Sequence, residues 1–332
     1  MREQETGCRD MKKKRIPGTD LDSSVILFGG GAISLTDREA FAFQLMDLYA
    51  DQGGNHLDTG NVYGKWLPEA TNISEQYIGR WMKTRGCRNQ MIVASKGGHP
   101  DLASMHIPRL SRLEVRQDLD ESLAALQTDR IDLYWLHRDD VNRPVEEIIG
   151  YLDDFLREGK IRWYGCSNWK LPRLEAAIAA AKKSGSRGFA ANQLPWSLAE
   201  TNREGLADTS LATMDQATWT LHRREQLAAM AYSSQAGGYF QKLLKVGKQG
   251  IRTGLLRQYD LPLNDRRFAL LVQMSAEQGC TVDELVLGFL LAQPFPVFPI
   301  IGASSPEQLM ASLSAGGRDW DPSLAQRLQN DV

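Results

Sequence analysis

From about residue 25 onward, short apolar runs alternate with longer amphipathic segments along nearly the whole chain. Strand-like runs fall at 25–29, 56–59, 91–96, 131–137, 161–167, 189–194, 228–233 and 297–301. Helical spacing fills 37–54, 74–86, 109–127, 144–160, 171–185, 265–279 and 281–293, and a last helix starts at 305. The punctuation agrees with the periods. Asp37 stands where it would cap the first helix and Gly53 where it would stop it. Gly86 ends the second, and Pro172 opens the segment at 171–185. Strands that alternate with helices pair in parallel. About eight such units imply an α/β fold, a closed (β/α)8 TIM barrel rather than an open doubly wound sheet. An open sheet would bring a dinucleotide fingerprint, and GGGAIS after the first strand does not fit G-x-G-x-x-G. The reading leaves room for a short N-terminal β-hairpin ahead of the barrel.

The length suits one barrel. The chain has 332 residues, and such barrels run to about 250 residues before insertions. Residues 1–10 read as a disordered tail and 11–332 as a single barrel domain. Apolar residues make up 42% and charged residues 24%, enough for a sizeable core. A net charge of -2 gives no reason to expect a nucleic-acid partner. No apolar run approaches the roughly 20 residues of a membrane span, so no membrane partner is expected. The start, MREQETGCRDMKKKR, is charged and has no apolar stretch, so it reads as a tail and not a secretory signal. The four cysteines (Cys8, Cys87, Cys166, Cys280) are far apart and form no C-x-x-C. They read as reduced thiols of a cytoplasmic protein, with no metal site expected. Two stretches break the rhythm, 197–220 and 236–264, and read as long loops of the functional kind. The oligomeric state is left open.

In a barrel, chemistry gathers where strands end and the following loops begin. The segment GNHLDTGNVYG (54–64) puts Asp58 at a strand end and Tyr63 on the turn after it. Lys96 ends the third strand and His137 the fourth. These side chains come from adjacent strands on one rim. Their combination has a chemical logic. A phenol titrates near about pH 10 and is a poor proton donor at neutral pH. An ammonium beside it favours phenolate, and a carboxylate beside the ammonium keeps it charged. An imidazole next to the phenol orients a carbonyl oxygen. Such a site protonates an alkoxide that develops as hydride reaches carbon. Taken singly, each residue has a plainer reading: Asp58 as a turn former, Lys96 as a strand-end lysine, His137 as a core histidine bonded to backbone.

Taken together, the motifs resemble the aldo-keto reductase family. GNHLDTGNVYG is similar to the family's G-x-N-x-x-D-T-A-x-x-Y-G. IVASK resembles its strand ending in the catalytic lysine, and LYWLHRDD its strand ending in the catalytic histidine. YGCSNW resembles its G-x-S-N segment, MAYSS its A-Y-S segment, and IIGASSPEQL its C-terminal phosphate-binding segment. The resemblance implies NADP(H)-dependent reduction of an aldehyde or ketone, a small carbonyl substrate, with NAD(H) as the other possible cofactor. It implies Tyr63 as general acid, assisted by Lys96, with Asp58 paired to Lys96 and His137 orienting the substrate. It also implies that Ser167, Asn168 and Gln193 hold the nicotinamide carboxamide. Tyr232 would stack on the ring and Ser233 would lie near the pyrophosphate. Gly302, Ser304, Ser305 and Gln308 would surround the adenosine 2′-phosphate.

Several positions depart from the pattern. Gly60 replaces an alanine, and AYSSQAGG replaces AYSPLG. IGASSPEQL has no basic residue for a 2′-phosphate and resembles the polar variant of the family's potassium-channel beta subunits, although their Glu-Asn pair is Ala311-Ser312 here. An alternative role follows from that likeness: a slow-turnover redox sensor or regulatory subunit. A Schiff-base aldolase built on Lys96 is disfavoured, because such a lysine must lose its proton and Asp58 would hold it charged.

Overall fold

The computed structural model describes residues 11–35, 39–68, 71–205, 208 and 210–330. The expected tail, Cys8 and the capping role of Asp37 lie outside the described residues. Two short antiparallel strands come first, β1 (Lys13–Arg15) and β2 (Asp22–Ser24). Eight parallel strands follow: β3 (Leu27–Gly29), β4 (His56–Asp58), β5 (Ile92–Gly97), β6 (Ile131–Leu136), β7 (Ile161–Ser167), β8 (Ala191–Pro195), β9 (Ala228–Tyr232) and β10 (Val297–Ile301). They pair in chain order, and β10 pairs back onto β3 to close the barrel.

Strand β6, IDLYWL, is buried along its whole length, as a parallel strand covered on both faces must be. Leu133 and Trp135 join a cluster drawn almost wholly from strands, which fills the barrel. Tyr134 and Leu136 join the cluster shared with the helices. The bulk of Trp135 needs space beside it. Its register partner on β7 is Gly165, where an added Cβ would come within 2.4 Å of the indole.

Helices α1 (Glu39–Asp51), α2 (Ile73–Arg85), α3 (Arg112–Leu126), α4 (Val145–Arg157) and α5 (Leu171–Ser184) cover the first half of the barrel. Their ends follow local chemistry. Ser111 and Glu114 form a reciprocal capping box on α3. Gly86 and Gly185 end α2 and α5 in the left-handed conformation. The second half differs from expectation in two places. The stretch 197–220 is shorter as a loop, because Asp215 accepts from the Thr218 N–H (2.8 Å) and starts α6 (Gln216–Glu225). The stretch 236–264 is largely helical, with α7 (Tyr239–Val246), α8 (Thr253–Tyr259) and the start of α9 (Pro262–Gln278). Tyr239, Phe240 and Leu243 lie on one face of α7 and are buried, and Phe240 stacks on Phe268 of α9. That short apolar face is diluted by Gln, Lys and Gly neighbours in the sequence. Helices α10 (Val282–Leu291), α11 (Pro306–Leu313) and α12 (Ser323–Asn330) complete the described chain.

The hairpin closes one end of the barrel. Ile16 and Leu21 are buried in the interior cluster with Leu27 and Ile92, which open β3 and β5. Asp20 between the hairpin strands accepts from Trp163 Nε1 (2.8 Å) and Arg162 Nη2 (2.6 Å) at the start of β7. The opposite rim, at the strand C-termini, is left for the site. No helix among the described residues is long and apolar enough to cross a membrane. Cys87, Cys166 and Cys280 are free thiols.

Candidate active site

The ends of β4, β5, β6 and β8 converge on one buried charge. Lys96 Nζ donates to Asp58 Oδ2 (2.6 Å) and to the Thr59 carbonyl (2.6 Å). Both ionic side chains are almost fully buried. A buried pair of this kind holds only when the remaining lone pairs are satisfied. The second Asp58 oxygen is satisfied by Gln193 Nε2 on β8, at 2.8 Å. Burial works against the Lys96 charge, but Asp58 and Tyr63 outweigh it and hold its pKa above the ordinary value. The ammonium lies 4.7 Å from the centroid of the Tyr63 ring. Carboxylate, ammonium and phenol thus form a chain built on β4, β5 and the turn after β4.

The backbone makes this chain possible. The Thr59 N–H bonds the Ala94 carbonyl and the Asn61 N–H bonds the Lys96 carbonyl, so the turn after β4 is laid along the end of β5. Gly60 sits over Lys96 and Tyr63, where a Cβ would make contacts of 3.4 Å to each. That is ordinary contact, so the glycine in place of alanine changes little.

His137 follows β6, and its ring lies edge-on to Tyr63 at 5.9 Å between centroids. Its Nδ1 is buried without a protein partner. Burial, reinforced by His99, Lys96 and Arg138, holds its pKa well below the ordinary imidazole value. A neutral imidazole beside a phenol is a hydrogen-bond partner for a substrate oxygen, not a fixed charge.

Sequence reading missed two neighbours. His99 packs edge-on against His137 at 4.7 Å. Arg138 bonds the His137 carbonyl (3.1 Å) and Asp208 (3.1 Å) across the mouth. Their signal was position alone, just beyond strands β5 and β6, with no motif to mark them. Trp66 packs 6.1 Å from Tyr63 and is 44% exposed. Trp196 stacks on Phe295 and lines a cavity described below. Trp219 bonds Gln293 and leans on Phe295, so it packs among side chains and does not line the mouth.

Next along the rim, Ser167, Asn168 and Tyr232 form a hydrogen-bonded group. Tyr232 Oη donates to Asn168 Oδ1 (2.6 Å), and Asn168 Nδ2 donates to Ser167 Oγ (3.0 Å). Asn168 takes φ 61°, which asparagine tolerates better than most residues. Gln193 is buried against Asp58 and stands apart from the Asn168 side chain, although its carbonyl accepts the Asn168 N–H (3.0 Å). Ser233 is exposed with φ 52°.

The expected phosphate segment is the turn into α11. Ser304 N and Oγ both donate to Gln308 Oε1 (3.0 and 2.7 Å), and Ser305 caps the helix through the Gln308 N–H. Gly302, Ser304 and Gln308 are exposed. Gln235 Nε2 donates to Ser312 Oγ (3.1 Å) and ties the segment after β9 to α11. That segment bends through Gly237 and Gly238, with φ 62° and 76°. On it Lys242 Nζ donates to the Gly237 carbonyl (2.7 Å). Burial and the nearby Arg252 charge lower the Lys242 pKa. Among the described residues neither cation makes an ion pair with a carboxylate.

The chain is similar to known proteins in sequence and in fold. The family model described as "Aldo/keto reductase family" matches residues 25–329. The chain is 29% identical over 323 residues to the "Uncharacterized oxidoreductase YrpG" of Bacillus subtilis (strain 168), covering 95% of this chain and 93% of that one. It is 28% identical over 342 residues to an "Aryl-alcohol dehydrogenase [NADP(+)]" of Phanerodontia chrysosporium, covering 95% and 84%. Among solved structures it matches the thermostable aldo-keto reductase Tm1743 in complex with the inhibitor epalrestat. The TM-score is 0.71 and the identity 21%, over 96% of this chain and 98% of that one.

Proposed function

Because the chain belongs to the aldo/keto reductase family, a family of carbonyl-reducing oxidoreductases, we propose that it reduces an aldehyde or ketone to an alcohol with NADPH. The observation that carries this reading is the Gln193–Asp58–Lys96 chain ending 4.7 Å from the Tyr63 ring. Reduced nicotinamide, when bound, supplies the hydride.

The chain's own residues handle the proton. Tyr63 donates its phenolic hydrogen to the substrate oxygen as negative charge develops there. Lys96 stabilises the phenolate that remains, and it needs no reorganisation because Asp58 and the Thr59 carbonyl already fix it. His137, held neutral by burial, donates a hydrogen bond that aims the carbonyl oxygen at Tyr63. Trp66 beside Tyr63 shields one side of the mouth.

The fit to a dinucleotide rests on the buried, unpartnered His137 Nδ1, the part-exposed Tyr232 ring and the glycine bend after β9. Ser167 and Asn168 would hold the carboxamide, and Tyr232 would face the nicotinamide. Gln193 would act through Asp58, a positioning role different from the carboxamide contact expected from sequence. Ser233 would lie near the pyrophosphate, and Gly302, Ser304, Ser305 and Gln308 near the adenosine end. Lys242 and Arg252 supply positive charge on the segment tied to α11, which the α11 turn itself lacks. A relative whose name carries NADP(+) supports the phosphorylated cofactor. The test is consumption of NADPH, followed by the near-ultraviolet absorbance of reduced nicotinamide, with a panel of aldehydes and ketones. No consumption with any of them, in a chain that binds NADPH, overturns the reading.

A further inference from the structure

A cavity of about 270 Å³ opens beside Tyr232 and Ser233 between the loop after β8 and helices α8 and α9. It lies outside the tetrad of Asp58, Tyr63, Lys96 and His137. Two arginines line it. Arg267 on α9 is 8% exposed. One of its nitrogens, Nη1, donates to the Leu198 carbonyl (2.7 Å), while Nε is buried with no partner. Arg203 reaches in from the loop and donates to Thr213 Oγ1 (3.0 Å). Among the described residues, neither arginine has a carboxylate within ion-pair distance. Glu200 on the same wall offsets part of the Arg267 charge from longer range. The apolar side of the cavity is Trp196, Leu198 and Met214.

A buried guanidinium without a counter-ion is costly unless something else completes it. Arginine presents a planar fork of donors suited to a carboxylate or phosphate. We propose that this cavity binds a small organic anion, its carboxylate or phosphate held between Arg267 and Arg203 and its apolar body against Trp196 and Met214. The pocket is separate from the dinucleotide and shares only the Tyr232–Ser233 wall with it. It stands on these residues whether or not the rim reduces carbonyls.

The test is calorimetric titration of the full chain, with NADPH present at saturation, using benzoate, phenyl phosphate, inorganic phosphate and neutral benzyl alcohol. Benzoate or phenyl phosphate is expected to bind at least about tenfold tighter than benzyl alcohol, equivalent to about 1.4 kcal/mol. The better of the two identifies the headgroup. Arg203→Gln, on an exposed residue, should weaken that binding by about tenfold or more. Arg267→Lys should weaken it too, while keeping a charge in place should the Gln variant fail to fold. Equal binding of benzoate, phenyl phosphate and benzyl alcohol overturns the proposal. So does binding unchanged by both variants, or inorganic phosphate alone binding. Anion binding that appears only without NADPH assigns the pocket to the cofactor and also overturns it. None of these outcomes depends on turnover, so failure here is distinguishable from failure of the reductase reading.

Discussion

Tyr63 and His137 carry different burdens, and their variants separate them. Tyr63→Phe removes the proposed proton donor and leaves the ring beside Trp66. Carbonyl reduction should fall by about 10² to 10⁴, with the NADPH dissociation constant, read by fluorescence quenching, within about twofold of the parent. A variant that keeps more than half the activity excludes Tyr63 from proton transfer. His137 makes the opposite kind of prediction. Its imidazole is held well below the ordinary value by burial and by the neighbouring His99, Lys96 and Arg138. It therefore stays neutral as pH falls through the range where a free imidazole charges, about 6.5. The rate of reduction at saturating substrate should show no limb near that pH. A limb that appears in the parent and vanishes in His137→Gln would contradict this. The tetrad was legible in the sequence because each member ends a strand or follows one. Gln193 stood out in the sequence through the family resemblance, but not as the partner of Asp58. That contact joins β4 to β8 across the barrel, and no local spacing encodes it.

At the scale of elements, α2 carries a buried carboxyl that the site does not use. Glu75 faces β5, bonds Ser95 and accepts from Asn72 Nδ2 (2.7 Å). Burial, opposed by Ser95, Ser122, Asn72 and the Lys65 charge, pushes its pKa up from 4.5 to about 7. The folded chain then holds a proton that the unfolded chain releases between those values. Stability from this group is present below pH 4.5 and is lost as pH rises to about 7. Glu75→Gln removes the titration, so its melting temperature relative to the parent should rise across that window and level off above it. A constant difference across the window would show that Glu75 does not titrate there. Helix α11 makes the second prediction. Gln308→Arg places a charge-assisted donor at its exposed N-terminal turn. It should tighten NADPH more than NADH, by about 1 to 2 kcal/mol, measured as two dissociation constants. An equal effect on both cofactors would place the 2′-phosphate elsewhere. Lys242→Ala should weaken NADPH more than NADH for the same electrostatic reason. Lys242 and Arg252 escaped the sequence reading because 236–264, which holds α7 and α8, was taken as a loop. The apolar face of α7 is three residues wide and is stabilised by Phe268, some 28 positions downstream of Phe240.

The whole molecule divides its labour between two ends. The strand C-termini carry polar side chains in contact with one another, and the N-termini carry the hairpin. Ile16 is fully buried in that closure. Ile16→Ala should cost about 2 to 5 kcal/mol, read by urea unfolding, with the turnover rate of the folded protein unchanged. A loss of turnover without a loss of stability would mean that the two ends are coupled. The barrel itself was legible because parallel strands write their burial as continuous apolar runs. The closing hairpin was only a possibility in the sequence, since Lys13, Lys14 and Arg15 look like a solvated run and the two residues that anchor it stand alone. The plug has a kinetic consequence. With the hairpin across one end and side chains filling the interior, the proposed dinucleotide and carbonyl would share the other rim as a single doorway, and whichever lay deeper would enter first and leave last. Departure through that doorway would then be a step of every turnover, beside the chemistry itself.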